Sequence, residues 1–127
     1  MSTTNWTVVE DYSATTFGPG QALSLFSLYH AHMRMGRQMI EGVTFDGCRI
    51  EGPSVMLPLS GCNFDGVNFG NPHGDPRNLV LRPAAPNGVI GAIPVRECLF
   101  RNVQFFAVGF TGSETFLQQL LALGPTQ

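Results

Sequence analysis

The stretch that decides the fold runs from Val43 to Gly52 and reads VTFDG followed by CRIEG. Each five-residue unit has a small apolar residue first, a large apolar residue third and a glycine last. Residues two apart in an extended segment point to the same side, so the two apolar residues of a unit face the same way. Glycine tolerates the left-handed backbone conformation that turns the chain. The pattern therefore predicts short strands joined by tight corners.

The same unit returns twice further along the chain, as CNFDG-VNFGN over residues 62–71 and CLFRN-VQFFA-VGFTG over residues 98–112. Phe45 and Phe64 are 19 residues apart, and Phe64 and Phe100 are 36 apart, which is twice 18. Repeated units of this kind bury their inward residues only against their neighbours. We therefore expect about four stacked coils, over residues 43–61, 62–78, 79–97 and 98–113.

Helical patterns lie on both sides of these coils. From Gln21 to Ile40 apolar residues recur at helical spacing, on more than one side, and Gly42 follows. From Ser113 to Leu123 the residues predict a shorter helix capped by Ser113. The weak alternation from Trp6 to Glu10 predicts a short strand.

Together these patterns predict one mainly β domain over residues 1–127. Its centre is expected to be a short right-handed parallel β-helix, or solenoid, over residues 43–113. An N-terminal strand and helix occupy residues 1–42, and a C-terminal helix and tail occupy residues 114–127. The two helices are expected to cover the solenoid, because uncovered coil ends would pair with other chains.

The units resemble those of the pentapeptide-repeat family, A-(D/N)-L-x-x, over 35 residues in the three blocks 43–52, 62–71 and 98–112. The resemblance implies a right-handed quadrilateral β-helix. Between the blocks the chain departs from the family pattern at several prolines, which favours a less regular β-helix with flatter sides. The family includes gyrase-targeting DNA mimics with strongly acidic surfaces, but this chain has a net charge of only −2.

Composition bears on partners and location. Charged residues make up 13% of the chain, against about 25% in a typical globular domain. Either uncharged Ser, Thr, Asn and Gln cover the surface, or part of it is buried in a homo-oligomer, and we expect both. Seven basic and nine acidic residues give no basic surface for nucleic acid. No run of eighteen apolar residues or signal peptide is present, so no membrane segment is expected. Three cysteines without a close pair favour the reducing cytoplasm.

The three cysteines, Cys48, Cys62 and Cys98, all occupy the first position of a five-residue unit. Valine takes the same position in other units, so this position needs apolar bulk rather than reactivity. We therefore expect inert core thiols, and neither a metal site nor a cofactor. His30 and His32 are two residues apart in the predicted helix and point in nearly opposite directions, so they do not share a metal simply.

Five residues are candidates for ligand binding. His73, Asp75 and Arg77 lie in the polar loop 71–78, where a histidine beside an aspartate could act as a base and an arginine could hold an anion. Turn formation explains the same residues equally well. Arg34 and Arg37 are three apart in the predicted helix and share a face. They could bind an anionic ligand or pair with acids such as Asp46 or Glu51.

These observations leave three functional hypotheses. The first is a non-enzymatic interaction or assembly module, homo-oligomeric and with no catalytic residues. The second is a protein that binds a small anionic ligand or nucleotide at a subunit interface. The third is an enzyme that uses His73 and Asp75.

Overall fold

The computed structural model describes residues 6–69 and 92–122. In this part of the chain, ten strands form two parallel sheets, and two helices accompany them. The elements are, in order, β1 (Thr7–Val8), β2 (Thr16–Phe17), β3 (Gln21–Ser24), α1 (Leu25–Arg34), β4 (Ile40–Glu41), β5 (Thr44–Asp46), β6 (Arg49–Pro58), β7 (Asn63–Asp65), β8 (Ala92–Arg96), β9 (Leu99–Arg101), β10 (Gln104–Phe110) and α2 (Glu114–Leu121).

The larger sheet has six strands in the order β1-β3-β6-β8-β4, with β10 paired to β6 as well. Strand β6 is its centre, because its first half pairs with β3 and its second half with β8, while β10 runs along both halves. The smaller sheet has four strands in the order β2-β5-β9-β7. All described pairings within these sheets are parallel.

The prediction of a mainly β solenoid of about four coils is wrong, because the fold is mixed α/β with two parallel sheets and two helices. In a solenoid each coil stacks on the coil before it, so β7 would lie between β5 and β9. Instead β9 lies between β5 and β7. Phe100 accordingly pairs with both Phe45 and Phe64. The repeated units have similar side chains at equivalent positions, so their sequence does not determine which units pair as neighbouring strands.

The local prediction within each unit is confirmed at most positions. The residues that end three units, Gly47, Gly66 and Asn102, have positive φ angles of 74°, 64° and 52° and turn the chain. Gly52 differs, because β6 continues through it as an extended strand. The positive φ angle lies instead at Ala107 in the neighbouring strand β10, where the register between β6 and β10 shifts by one residue.

The core lies between the sheets and is lined by the third residues of the units. Phe17, Phe45 and Phe100 are fully buried, and their rings form a stack in that order that ends at Phe64. The ring centroids are 5.8 Å apart for Phe17 and Phe45, 4.8 Å for Phe45 and Phe100, and 4.7 Å for Phe100 and Phe64. Stacked rings of this kind bury a large apolar area and hold the strands in register.

The N-terminal helix is shorter than the sequence predicts. Gln21–Ser24 form strand β3, in which Ala22 and Leu23 pair with Arg49 and Ile50 of β6. Ser24 then caps α1, since its hydroxyl accepts a hydrogen bond from the Ser27 amide at 3.2 Å. Pairing with a central strand therefore overrides the helical spacing of the first residues.

The C-terminal helix begins where the sequence predicts. Ser113 caps α2, its hydroxyl accepting from the Phe116 amide at 3.2 Å, and Leu117 and Leu120 are buried. The predicted strand near residues 6–10 is present as β1. Of the described helices, neither α1 nor α2 has the length and apolar character to cross a bilayer.

Candidate functional site

The main candidate site is a groove of about 590 Å³ between α1 and the preceding turn at residues 10–13. Two polar contacts build this turn. The Asp11 carboxylate accepts hydrogen bonds from the amide and hydroxyl of Ser13, at 3.0 and 2.6 Å. The Tyr12 hydroxyl accepts one from the Ser24 amide at 3.0 Å, which fixes the turn to the start of α1. The groove is lined by Glu10, Tyr12, Ser13, Phe26, Ser27, His30, Ala31, Arg34 and Met35.

Helix α1 is apolar on two sides. Its inner side buries Leu25, Leu28 and His32. Its outer side carries Phe26 and Met33, which are 60% and 49% exposed, at a spacing of seven residues, or two helical turns. Between them the His30 ring stacks on the Phe26 ring, with centroids 6.2 Å apart. The groove therefore combines exposed apolar side chains with a polar wall.

Opposite charges lie at the two walls of the groove. Glu10 is in the turn and Arg34 is the last residue of α1. Throughout residues 6–69 and 92–122, neither side chain has an ion-pair partner. The groove thus presents one acid and one base that are available to a bound molecule.

The predicted pairing of Arg34 with Arg37 on one helix face is wrong. The helix ends at Arg34, and Gly36 turns the chain with a φ angle of 87°. Arg37 points back along the inner side, with Nη1 3.4 Å from both His32 Nδ1 and the Glu41 carbonyl oxygen. Only Arg34 lines the groove. The candidates His73, Asp75 and Arg77 lie outside the described residues.

The predicted acid partners of the two arginines are not their partners either. Among the described side chains, Glu51 pairs with Arg49, Nε to Oε2 at 3.2 Å, and no ion pair joins Asp46 to Arg34 or Arg37. A second described acid, Glu41, binds Arg96, whose Nε lies 3.0 Å from Oε2. Arg34 is thus left without an acid in this part of the chain.

The two histidines of α1 occupy opposite environments, as their spacing predicts. His30 is exposed in the groove, whereas His32 is 1% exposed under the helix. Burial, and then the nearby Arg37 guanidinium, lower the pKa of His32 below its ordinary value, against the opposing effects of a hydrogen bond with the Met39 backbone and of the Glu41 carboxylate. His32 is therefore held neutral inside the fold.

The three thiols also differ in their surroundings. Cys48 is buried, which raises its pKa to about 12, as expected for an inert core thiol. Cys98 is buried too, and its hydrogen bond with Cys62, followed by desolvation, raises its pKa. Cys62 is partly exposed, and the hydrogen bond from Cys98 lowers its pKa to about 7. Cys48 is thus a fully buried thiol, whereas Cys62 is partly exposed to solvent.

Sequence reasoning missed most of the groove. A second stripe at Phe26, His30 and Met33, beside the buried stripe at Leu25, Leu28 and His32, was a usable signal for an exposed apolar face. Glu10 and Tyr12 gave no such signal, because tertiary packing brings their turn to the helix. Among the described residues, no group of three or more His, Cys, Asp or Glu side chains is placed to hold a metal ion.

Comparison of the chain with protein-family models, with curated proteins and with solved structures gives no match. The resemblance to pentapeptide repeats therefore stays a prediction from the residues.

Proposed function

We propose that this protein is a non-enzymatic assembly module that binds a second copy of itself through the groove side of α1. The observation that carries this proposal is the exposure of Phe26, 60%, and of Met33, 49%, on one side of a helix whose opposite side is buried. Exposed apolar side chains that share one face of a helix form a patch, and such a patch is typical of a protein contact surface. The low share of charged residues, 13% of the chain, supports the same proposal.

A second copy is the occupant that the charges favour. Most homodimers have two-fold symmetry, so both chains use the same patch. If a first residue of one chain contacts a second residue of the other, the reverse contact is also made. A patch with one acid, Glu10, and one base, Arg34, can satisfy both charges against a copy of itself. Phe26 and Met33 would supply the apolar centre of the interface.

We place this assembly in the cytoplasm, because all three cysteines are free thiols.

Native mass spectrometry of matched variants tests this proposal. Phe26→Ser is expected to convert the assembly to monomer, because it removes an apolar anchor at the centre of the surface. Phe106→Ser is the control, since Phe106 is similarly exposed, at 55%, but does not line the groove. If both variants lose assembly equally, or if neither does, the contact between the chains lies elsewhere. Circular dichroism of each variant checks that the fold is retained.

A second candidate function is the binding of a small anionic ligand. It is favoured by Arg34, which has no described acid partner and lines a groove whose volume is in the usual range for ligand sites, about 300–1,000 Å³. A thermal-shift titration with AMP and inorganic phosphate tests it. A stabilising shift that disappears in Arg34→Ala but persists in Arg37→Ala would support this function, and unchanged melting with both probes would count against it.

A further inference from the structure

The sheet register places Cys62 beside Cys98. Asn63 pairs with Leu99 and Phe64 pairs with Phe100 in adjacent parallel strands, β7 and β9. Cys62 and Cys98 immediately precede these pairs, and the Asn63 amide donates to the Cys98 carbonyl oxygen at 3.0 Å. Neighbouring strands lie about 4.8 Å apart, which is within the Cα separation of about 4.4–6.8 Å that a disulfide spans.

The two thiols also point into the same small region. Cys62 Sγ lies 3.5 Å from the Val95 carbonyl oxygen, and Cys98 Sγ lies 3.3 Å from the Arg96 carbonyl oxygen. Val95 and Arg96 are consecutive residues of β8. The two thiols also interact, since each has the largest single effect on the pKa of the other, lowering that of Cys62 and raising that of Cys98. Backbone register and side-chain contacts therefore agree that the sulfur atoms are neighbours.

Cys48 provides an internal comparison. It has the same position in its own unit, but the residue that it faces is Val103, because Arg49 pairs with Gln104 in the next position of the register. Cys48 is also fully buried. Of the three cysteines, only Cys62 combines a neighbouring thiol with partial access to solvent.

We propose that Cys62 and Cys98 form an oxidisable dithiol that takes a peroxide as its oxidant and closes to an intramolecular disulfide. This inference is independent of the proposed self-association. Cys62 is the thiol that reacts with the peroxide, because it is the partly exposed one of the two and the Cys98 thiol lies beside it to stabilise its thiolate. Cys98, buried beside it, is the resolving residue.

The chemistry balances in two steps. The Cys62 thiolate attacks one peroxide oxygen, so that an S–O bond forms, the O–O bond breaks and hydroxide leaves, giving a sulfenic acid. The Cys98 sulfur then attacks the Cys62 sulfur, forming the S–S bond and breaking the S–O bond, and its proton leaves with the oxygen as water. Overall two thiols are oxidised to a disulfide and one hydrogen peroxide is reduced to two waters. A thiol reductant reverses the step by disulfide exchange.

Peptide mapping of the oxidised full-length protein tests this proposal. The reduced protein is treated with hydrogen peroxide, denatured, alkylated and digested without reductant. A peptide linking Cys62 to Cys98, with Cys48 alkylated, is the expected product. Cys48→Ser is the matched control and should give the same linked peptide. Three thiols still free, a link to Cys48, or a link between two chains would overturn the proposal.

A second variant separates the two roles. Cys98→Ser removes the resolving thiol, so peroxide treatment should leave a sulfenic acid at Cys62 that dimedone traps. Trapping at Cys48 in place of Cys62 would contradict the assignment of Cys62 as the thiol that reacts with the peroxide. If Cys98→Ser does not fold, the map of the wild-type protein still decides whether the disulfide forms.

Discussion

Phe45 and Phe100 lie face to face across strands β5 and β9, with ring centroids 4.8 Å apart and ring planes within 5° of parallel. Both rings are completely buried, and Phe100 also stacks on Phe64 on its other side. Phe100 is thus the middle ring of the stack that joins three strands of the smaller sheet.

Replacing Phe100 with alanine should lower the free energy of unfolding by about 3–5 kcal/mol, because a buried ring is removed and a cavity is left between two others. Chemical denaturation of the purified variant measures this loss. Phe106→Ala is the control, since this ring is 55% exposed, with the Arg49 guanidinium 4.6 Å from its centroid. Its loss should be about 1 kcal/mol or less. Similar losses at the two positions would contradict the described core.

Gly52 should not tolerate a side chain. A Cβ atom at this position would overlap the carbonyl oxygen of Ala107, which lies against it at the register shift between β6 and β10. Gly52→Ala should therefore destabilise the protein by about 1–3 kcal/mol in thermal or chemical denaturation. Gly18→Ala is the control, because a Cβ there meets no atom within 4 Å, and its effect should stay within about 0.5 kcal/mol. A neutral Gly52→Ala would show that the two strands are not this close.

Stability should fall as the pH falls below about 6.5, the ordinary pKa of histidine in the unfolded chain. Because burial and Arg37 lower the pKa of His32 in the folded protein, the unfolded state takes up this proton first. Protonation therefore favours unfolding, by up to about 1.4 kcal/mol per pH unit until the folded pKa is reached.

Denaturation curves between pH 7.5 and about 5.5, where most carboxylates stay ionised, measure this slope. His32→Gln should flatten the slope, and His30→Gln, at the exposed histidine, should leave it unchanged. A wild-type slope that persists in His32→Gln would assign the pH dependence to another group.

Much of the local structure was predictable from the repeated units. The apolar first and third residues of VTFDG and CNFDG specify short strands, and β5 and β7 lie at these positions with turns at Gly47 and Gly66. The order of the strands was not predictable. Phe45, Phe64 and Phe100 have equivalent surroundings in the sequence, and only long-range packing puts Phe100 in the middle.

The candidate site was predictable only in part. Arg34 was singled out by its charge, but its pairing with Arg37 assumed a helix that continues to Ile40, whereas α1 ends at Arg34. The apolar residues Phe26 and Leu28 have the same character in the sequence. Which of them is buried depends on where the sheet lies, and that is a property of the tertiary structure.

The charges of the groove give a sharper prediction about the assembly. If Glu10 of one chain meets Arg34 of the other, Glu10→Arg and Arg34→Glu should each weaken association, because each change brings like charges together. A mixture of the two variants should associate again, since one heterodimer contact is native and the other has both charges reversed. Native mass spectrometry of the mixture measures this recovery. No recovery, with both variants folded, would contradict pairing between these residues.

Sedimentation velocity of the wild-type protein across a wide concentration range decides whether the chain self-associates. Self-association through α1 should give a sedimentation coefficient that rises with concentration from the monomer value to that of a dimer. A single monomer boundary at every concentration would contradict it.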